Sequence, residues 1–201
     1  MNRLQKIGLY GGSFDPIHHG HLILARQALE SLGLDRVLFI PAGISPHKLD
    51  RPPAPAELRG RMVAASVQDE PGLGWDDCEI RREGPSFAID TVREMAARFP
   101  GSEIYYFIGE DNLAALHTWK DIAELRALVK FVVMSRGGTS VSPGFPVISR
   151  QIDISSTDIR NRIAGGLSVR YLLPQAVGDL ITRHQLYRES HSWRAFACEE
   201  K

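Results

Sequence analysis

The chain has 201 residues, 43% of them hydrophobic and 24% charged, and its 24 basic residues balance its 24 acidic ones. This composition is typical of a globular protein and excludes a disordered chain, and the balanced charge gives no overall field to recruit nucleic acid or an anionic membrane. No apolar stretch reaches the length of a signal peptide or a membrane span, so we expect a cytoplasmic protein.

Short apolar stretches alternate with longer amphipathic ones along the chain. Apolar residues at helical spacing predict helices, and compact β-branched or aromatic runs predict strands. In the first half the predicted elements are a strand at Lys6–Tyr10, a helix at His21–Leu32, a strand at Arg36–Ile40, a helix at Glu57–Val67, a strand at Trp75–Ile80, and a helix that is capped by Ser86 and carries Ile89, Val92, Met95 and Ala96. In the second half they are strands at Glu103–Ile108, Lys130–Met134 and Val147–Ser149, a flexible loop at Gly137–Pro146, and helices at Ser155–Ala164 and Pro174–His184.

This order of elements predicts an α/β fold, namely a Rossmann-like, doubly wound parallel sheet with helices on both faces and a small C-terminal helical segment. We expect a single domain over residues 1–188, followed by a tail at residues 189–201 that shows no clear pattern. Ligands of such sheets bind at the carboxyl ends of the strands. The candidate site is therefore formed by the loops that follow Tyr10, Ile40, Ile108 and Met134.

The loop after the first predicted strand reads GGSFDPIHHGHL and has the features of an anion site. Gly11 and Gly12 leave backbone amides open to close approach, and the helix that follows directs its free amides and positive dipole end toward the same space. His18 and His21 lie three residues apart near that helix start. They can donate together to phosphate oxygens and stabilise the charge that develops during phosphoryl transfer.

Other ligands fit this loop less well. Its glycines match neither the dinucleotide-binding pattern GxGxxG nor the ATPase phosphate loop GxxxxGK[ST]. Three histidines within four positions could bind zinc, yet no Cys, His or carboxylate cluster elsewhere completes a recognisable ligand set. Cys78 and Cys198 lie far apart, and we interpret them as free thiols in a reducing compartment.

A second candidate anion site lies in the segment ISSTDIRNRI near the C-terminus. Ser155 and Asp158 fit a helix capping box, which by itself is a structural role. Ser156 and Thr157 add hydroxyls and amides at the same helix start, and Arg160 follows one turn later. Two helix N-termini and an arginine suit a triphosphate with about four negative charges.

These two segments resemble the GxFxPxHxGH and ISSTxIR motifs of the nucleotidyltransferase superfamily. The resemblance implies that His18, His21 and Arg160 are catalytic and that both histidines contact the phosphates of ATP. It implies an ATP site made of Gly11, Gly12, Ser13, Phe14, His18, His21, Gly109, Asp111, Ser155, Ser156, Thr157 and Arg160. Asp111, just past a strand, suits the ribose hydroxyls, although an N-cap role fits it equally well.

Four further segments resemble bacterial nicotinate mononucleotide adenylyltransferases, so that the likeness extends from Ile7 to about Arg188. They are SPHK at Ser45–Lys48, PSFAIDTV at Pro85–Val92, IGEDNLAALHTW at Ile108–Trp119 and YLLPQAVGDLITRHQLY at Tyr171–Tyr187. The resemblance implies an acceptor site made of Ser13, His47, Lys48, Phe87, Ala88, Trp119 and Arg136. Trp119 offers a flat face that can stack on a pyridine ring, and a position in the core is the alternative.

One position departs from the family pattern. The family's PSYT reads PSFA in this chain, so Ala88 lacks the hydroxyl of the threonine. Recognition of the pyridine carboxylate is kept if a backbone amide makes the contact and is weakened if the hydroxyl makes it. At this point the preference for nicotinate over nicotinamide therefore stays open.

The resemblance implies an enzyme that transfers the adenylyl group of ATP to nicotinate mononucleotide by direct in-line attack. It also implies Mg²⁺ that is held mainly by the ATP phosphates and water, with no all-protein metal site. The alternatives are a nicotinamide mononucleotide adenylyltransferase, a phosphopantetheine adenylyltransferase, and a nucleotide-binding module without turnover. We expect no nucleic-acid or membrane partner, and the sequence leaves a homo-oligomer open.

Overall fold

Six parallel strands form the centre of the structure, a computed structural model that describes residues 4–44, 52–137 and 144–188. The strands are β1 (Lys6–Gly12), β2 (Arg36–Pro41), β3 (Leu73–Trp75), β4 (Glu103–Gly109), β5 (Lys130–Ser135) and β6 (Val147–Ser149). Their order across the sheet is β3-β2-β1-β4-β5-β6, and every neighbouring pair is parallel. The predicted doubly wound α/β fold is confirmed, and the strand order reverses between β1 and β4, where such sheets bind ligands.

Helices cover both faces of this sheet. In the described residues they are α1 (His19–Ser31), α2 (Ala56–Val67), α3 (Cys78–Arg81), α4 (Ala88–Arg98), α5 (Ile122–Leu128), α6 (Ser156–Ala164) and α7 (Gln175–Arg183), with short 3₁₀ turns at Glu110–Asn112 and Leu116–Thr118. Apolar residues of α1, α2, α6 and α7 pack in the core on one face, and those of α4 and α5 pack in the core on the other.

Successive residues of the central strands alternate between the two cores, as the two-residue period of a strand requires. In β1, Leu9 packs in the core with α4 and Tyr10 in the core with α1, and Tyr106 and Phe107 of β4 divide in the same way. Each fully buried Leu, Ile or Phe contributes about 1.5–3 kcal/mol to stability. The two cores therefore fix the strand ends from which the candidate site is built.

The strand predicted at Trp75–Ile80 is wrong after its first residue. Strand β3 ends at Trp75, and the chain then turns into the four-residue helix α3. The Cys78 N–H donates a hydrogen bond of 3.0 Å to Asp76 Oδ1, a local side-chain contact that favours a turn over continued pairing.

The predicted cap of α4 is also wrong. Phe87 holds the N-cap position, and no side chain caps that helix end. The Ser86 hydroxyl instead accepts a hydrogen bond of 3.0 Å from the Gly43 N–H, in the loop after β2. Ser86 thus joins two loops rather than starting a helix.

The described residues test the expectations for membrane spans and for free thiols in part. No helix in the described residues is long and apolar enough to cross a bilayer. Cys78 is a buried free thiol, and burial together with the nearby Asp76 raises its pKa to about 12, so it stays protonated and unreactive. Cys198, the tail at residues 189–201 and residues 138–143 of the predicted flexible loop lie outside the described residues.

Candidate active site

A cavity of about 1010 Å³ opens at the carboxyl ends of β1 and β4, at the switch point of the sheet. This volume is at the upper end of the roughly 300–1,000 Å³ typical for small-molecule sites. The predicted site residues that line it are Gly11, Gly12, Ser13, Phe14, His21, Gly109, Asp111, Arg136, Ser155, Ser156, Thr157 and Arg160. Segments from both ends of the chain thus meet at one place.

The loop after β1 is held open by its aromatic residue. Phe14 adopts φ +46°, a left-handed conformation that costs a non-glycine residue about 1–3 kcal/mol unless its surroundings fix it. Its ring is buried, with its centroid 5.7 Å from that of Tyr10 and 5.1 Å from that of His21. Gly12 lies beneath this ring, and a Cβ there would come within 3.0 Å of it. This packing offsets the conformational cost of the turn, and the loop lines the cavity wall.

His21 is the histidine that faces the cavity. Its Nδ1 accepts a hydrogen bond of 3.3 Å from the His18 N–H. A neutral imidazole that accepts at Nδ1 carries its proton on Nε2. His21 is therefore oriented to donate from Nε2.

His18 lies behind His21 and does not line the cavity. Its side chain is 0% exposed, and the two rings stack with centroids 3.8 Å apart. Burial first, and then the charge of Arg136, lowers the pKa of His18 to about 3, so the ring is neutral at pH 7. A Cβ on Gly20 would lie 3.0 Å from this ring, which explains the glycine between the two histidines.

The start of α6 forms the opposite wall. The Ser155 hydroxyl accepts a hydrogen bond of 3.1 Å from the Asp158 N–H, as the capping pattern predicts. Arg160 donates from Nη1 to the Asp15 carbonyl at 2.7 Å and from Nη2 to Thr157 Oγ1 at 3.1 Å. Ser156 Oγ donates to the Pro16 carbonyl at 2.9 Å. These bonds attach α6 to the loop after β1.

Three buried side-chain nitrogens lack a partner, and all three belong to predicted phosphate residues. They are Nδ1 and Nε2 of His18 and Nε of Arg160, and no other buried side-chain N or O atom in residues 4–44, 52–137 and 144–188 is recorded as unpaired. An unpaired buried polar atom costs about 1–3 kcal/mol. Such atoms concentrated at one site indicate groups reserved for a ligand.

The loops after β4 and β5 complete the cavity. The Asp111 carboxylate lies over Gly109, so a Cβ at Gly109 would displace it. Asp111 and Glu110 are exposed, and Glu110 Oε2 accepts a hydrogen bond of 2.8 Å from the Ser135 hydroxyl. Arg136 donates to the Ile154 carbonyl at 2.8 Å, which places a cation beside the start of α6.

The predicted acceptor residues are only partly at this cavity. Phe87, Ala88 and Trp119 are half-buried and do not line it. The Trp119 ring meets Tyr106 edge-on, with centroids 6.0 Å apart, and Lys120 Nζ lies 4.7 Å from the centroid of the Phe87 ring. His47 and Lys48 lie outside the described residues.

Several cavity residues were not predicted from the sequence. They are Asp15, Gly43, Ile44, Pro52, Pro53, Glu110, Asn112, Met134 and Gly137, together with Tyr10 and Leu24. Asp15 is the most connected of them, because its Oδ1 accepts hydrogen bonds from the Ala54 N–H at 3.1 Å and the Tyr187 hydroxyl at 2.7 Å. Its place inside the motif, next to Phe14, was the available signal.

Comparison with known proteins assigns the chain to a family. Residues 9–162 match the family model described as cytidylyltransferase-like. A protein of Thermus thermophilus, described as a probable nicotinate-nucleotide adenylyltransferase, is 43% identical over 187 residues, which cover 91% of this chain and 100% of that protein. The chain belongs to the nicotinate-nucleotide adenylyltransferase family.

Other members of the nicotinate-nucleotide adenylyltransferase family agree with this assignment. A relative from Lactiplantibacillus plantarum is 41% identical over 189 residues, 92% of this chain and 90% of that protein. The solved structure of Plasmodium falciparum nicotinic acid mononucleotide adenylyltransferase complexed with NaAD matches with a TM-score of 0.76, and the match covers 91% of this chain and 97% of that one. At 17% identity this second likeness shows the fold alone.

Proposed function

We propose that the chain transfers the adenylyl group of ATP to nicotinate mononucleotide, giving nicotinate adenine dinucleotide and pyrophosphate. Family membership supports the substrate pair. The observation that carries the proposal is the set of unpaired buried nitrogens on Arg160, which lines the cavity, and on His18, which stacks behind His21, because buried donors without a partner suit a phosphate chain. The relatives named above belong to nicotinate-nucleotide adenylyltransferases, which favours nicotinate mononucleotide over the nicotinamide and phosphopantetheine alternatives.

The triphosphate of ATP binds between the starts of α1 and α6. Each helix start offers the positive end of its dipole. His21 donates from Nε2, and Arg160 adds a guanidinium that two hydrogen bonds already hold in place. His18 packs behind His21 and would contact the phosphates only if the stacked pair shifted, because its ring does not line the cavity.

The reaction is an in-line displacement that needs no general base. An ionised oxygen of the mononucleotide 5′-phosphate forms a bond to the α-phosphorus of ATP, and the bond from that phosphorus to the α–β bridging oxygen breaks. The electron pair leaves with pyrophosphate, and no proton has to move at neutral pH. Catalysis therefore consists of positioning and of stabilising the negative charge that grows on the leaving group. His21 and Arg160 supply that charge stabilisation.

Mg²⁺ fits this site as an ion carried in by the nucleotide. The carboxylates that line the cavity are Asp15, Glu110 and Asp111, and Asp15 and Glu110 already accept hydrogen bonds from the protein. In the part of the chain that the structure describes, the one group of three potential ligand side chains is Asp76, Cys78 and Glu94, which does not line the cavity. The ion would be held by phosphates, water and at most one or two carboxylates, and it would neutralise charge on the pyrophosphate.

The start of α4 supports recognition of a carboxylate next to Ala88. This residue is the first of α4, where backbone N–H groups have no partner inside the helix. A carboxylate at that helix end is favoured over a neutral amide by the dipole. The missing hydroxyl at Ala88 therefore costs little, and we include nicotinate preference in the proposal.

The test is pyrophosphate release from ATP and Mg²⁺ with each of three acceptors in turn. We expect release with nicotinate mononucleotide at a kcat/KM at least tenfold above that with nicotinamide mononucleotide, and none with phosphopantetheine. Equal rates with the two pyridine nucleotides would overturn the nicotinate preference. Silence with all three acceptors would favour a nucleotide-binding module without turnover.

A further inference from the structure

Arg59 is a buried arginine that links three loops around the cavity. It lies on α2, is 1% exposed, and is the largest fully buried side chain in the described residues. Nε donates to the Ala54 carbonyl at 2.8 Å, Nη1 to the Ser13 carbonyl at 2.7 Å, and Nη2 to the Gly43 carbonyl at 3.0 Å. Ser13 and Gly43 both line the cavity, whereas Arg59 does not.

The hydrogen bond from Arg59 to the Ser13 carbonyl fixes the orientation of the peptide in the loop after β1, which we call the phosphate loop. Across a trans peptide the carbonyl and the following N–H point in opposite directions. Because the Ser13 carbonyl points at Arg59, the Phe14 N–H points away from it. This is the residue at φ +46°, so Arg59 is one of the groups that hold the strained turn.

The hydrogen bond from Arg59 to the Gly43 carbonyl connects it, through Ser86, with the predicted acceptor residues Phe87 and Ala88. The Gly43 N–H donates to Ser86 Oγ at 3.0 Å, and the Ser86 N–H donates to the Ile44 carbonyl at 2.9 Å. A Cβ on Gly43 would collide with the Glu79 carbonyl oxygen, so only glycine fits at this position. The segment fixed in this way runs directly into Phe87 and Ala88.

The burial of the charged Arg59 side chain requires a physical explanation. Burial lowers the pKa of Arg59, and the largest charge that stabilises its protonated form is that of Asp15. Arg59 forms no ion pair with another described residue. Three backbone carbonyls accept its hydrogen bonds instead. A buried charge is costly unless hydrogen bonds satisfy it, and the three carbonyls that satisfy Arg59 belong to segments at or next to the cavity.

We propose that Arg59 is a positioning residue for the adenylyl transfer. It holds the phosphate loop at Ser13 and the acceptor-side loop at Gly43 in one frame, so that the acceptor phosphate meets the α-phosphorus in line. Misplacement of reacting groups by about 1 Å can cost a hundredfold in rate. This inference rests on the proposed function, because it assumes that both substrates bind on the two sides of this frame.

The test compares Arg59→Lys and Arg59→Met with the matched control Met62→Ala. Lysine keeps the charge but loses the three-way fork, and methionine fills the space without charge. Met62 lies on the same buried face of α2, is 0% exposed, and makes none of these loop contacts. Thermal midpoints and steady-state kinetics are measured for all four proteins, with assays at least ten degrees below the lowest midpoint.

We expect both Arg59 variants to lose about tenfold or more in kcat and to raise KM for both substrates, because both loops shift. Met62→Ala should lower the thermal midpoint and leave kcat and both KM values within about twofold. Any folded Arg59 variant with wild-type kinetics, or a control with the same kinetic loss, would overturn the inference. A wild-type protein that turns over none of the acceptors would instead refute the proposed function.

Discussion

The Tyr187 hydroxyl donates a hydrogen bond of 2.7 Å to Asp15 Oδ1, across 172 residues of sequence. Burial raises the pKa of Tyr187, so the hydroxyl keeps its proton and donates at every working pH. The Asp15 carbonyl accepts from Arg160 in turn. One aspartate in the phosphate loop therefore holds both α6 and the segment after α7.

Removal of this hydroxyl should destabilise the protein. Tyr187→Phe leaves the ring in place and takes one donor from a partly buried carboxylate, at a cost of about 1.5–3 kcal/mol. Tyr171→Phe is the matched control, because Tyr171 is 77% exposed. Urea unfolding measures both. A Tyr187→Phe variant as stable as the control would show that the bond adds nothing.

The second prediction concerns the donor at the cavity wall. His21→Ala should lower kcat by on the order of a hundredfold or more, because a donor to the transition state is lost. His19→Ala serves as the control, since His19 lies between the two motif histidines and its side chain does not line the cavity. It should keep kcat within about threefold. Near wild-type turnover by His21→Ala would remove His21 from the catalytic set.

A third prediction follows from the neutral, buried His18. The native protein holds the pKa of this ring at about 3, whereas the unfolded chain binds the proton near pH 6.5. Stability from this group is therefore fully present above pH 6.5 and is lost as the pH falls toward 3. Between pH 7 and pH 5 the wild type should lose about 2 kcal/mol more than His18→Asn.

Urea unfolding at the two pH values provides the measurement, and the difference between the two proteins cancels the titration of all other groups. Equal losses in wild type and variant would mean that His18 takes up its proton in the folded state. The ring would then be a cation in the site, contrary to its burial and its position beside Arg136.

The fourth prediction separates the two substrate sites. Trp119→Ala should raise KM for the mononucleotide by about tenfold, the loss expected for one stacking contact of 1–3 kcal/mol, and should change KM for ATP much less. Trp75→Ala, at the sheet edge and outside the cavity, should change neither. A selective rise in KM for ATP would move Trp119 out of the acceptor site.

The sequence predicted the sheet well because its signals are local. Apolar runs such as Glu103–Ile108 and the glycines after Tyr10 mark strand ends without reference to distant residues. The strand prediction failed after Trp75, because the hydrogen bond from the Cys78 N–H to Asp76 Oδ1 favours a turn at that point. The residues that we predict to bind phosphate could be named from the sequence because two motifs, each near a helix start, carry them.

Arg59 could not be predicted in its role, because its partners lie 5, 16 and 46 residues away in sequence. The signal present was its position on the apolar face of α2, together with Met62, Val63 and Val67. An arginine on such a face indicates buried partners but not which ones. The same holds for Tyr187 and Asp15, which only the folded chain brings together.

The most direct test of adenylyl transfer follows the α-phosphate of ATP. Wild-type protein is incubated with Mg²⁺, nicotinate mononucleotide and ATP labelled at the α- or the γ-phosphate, and the dinucleotide and pyrophosphate are separated. We predict that the α label appears in the dinucleotide and the γ label in pyrophosphate. Release of the γ label as inorganic phosphate, or a dinucleotide fraction without the α label, would contradict direct adenylyl transfer by this chain.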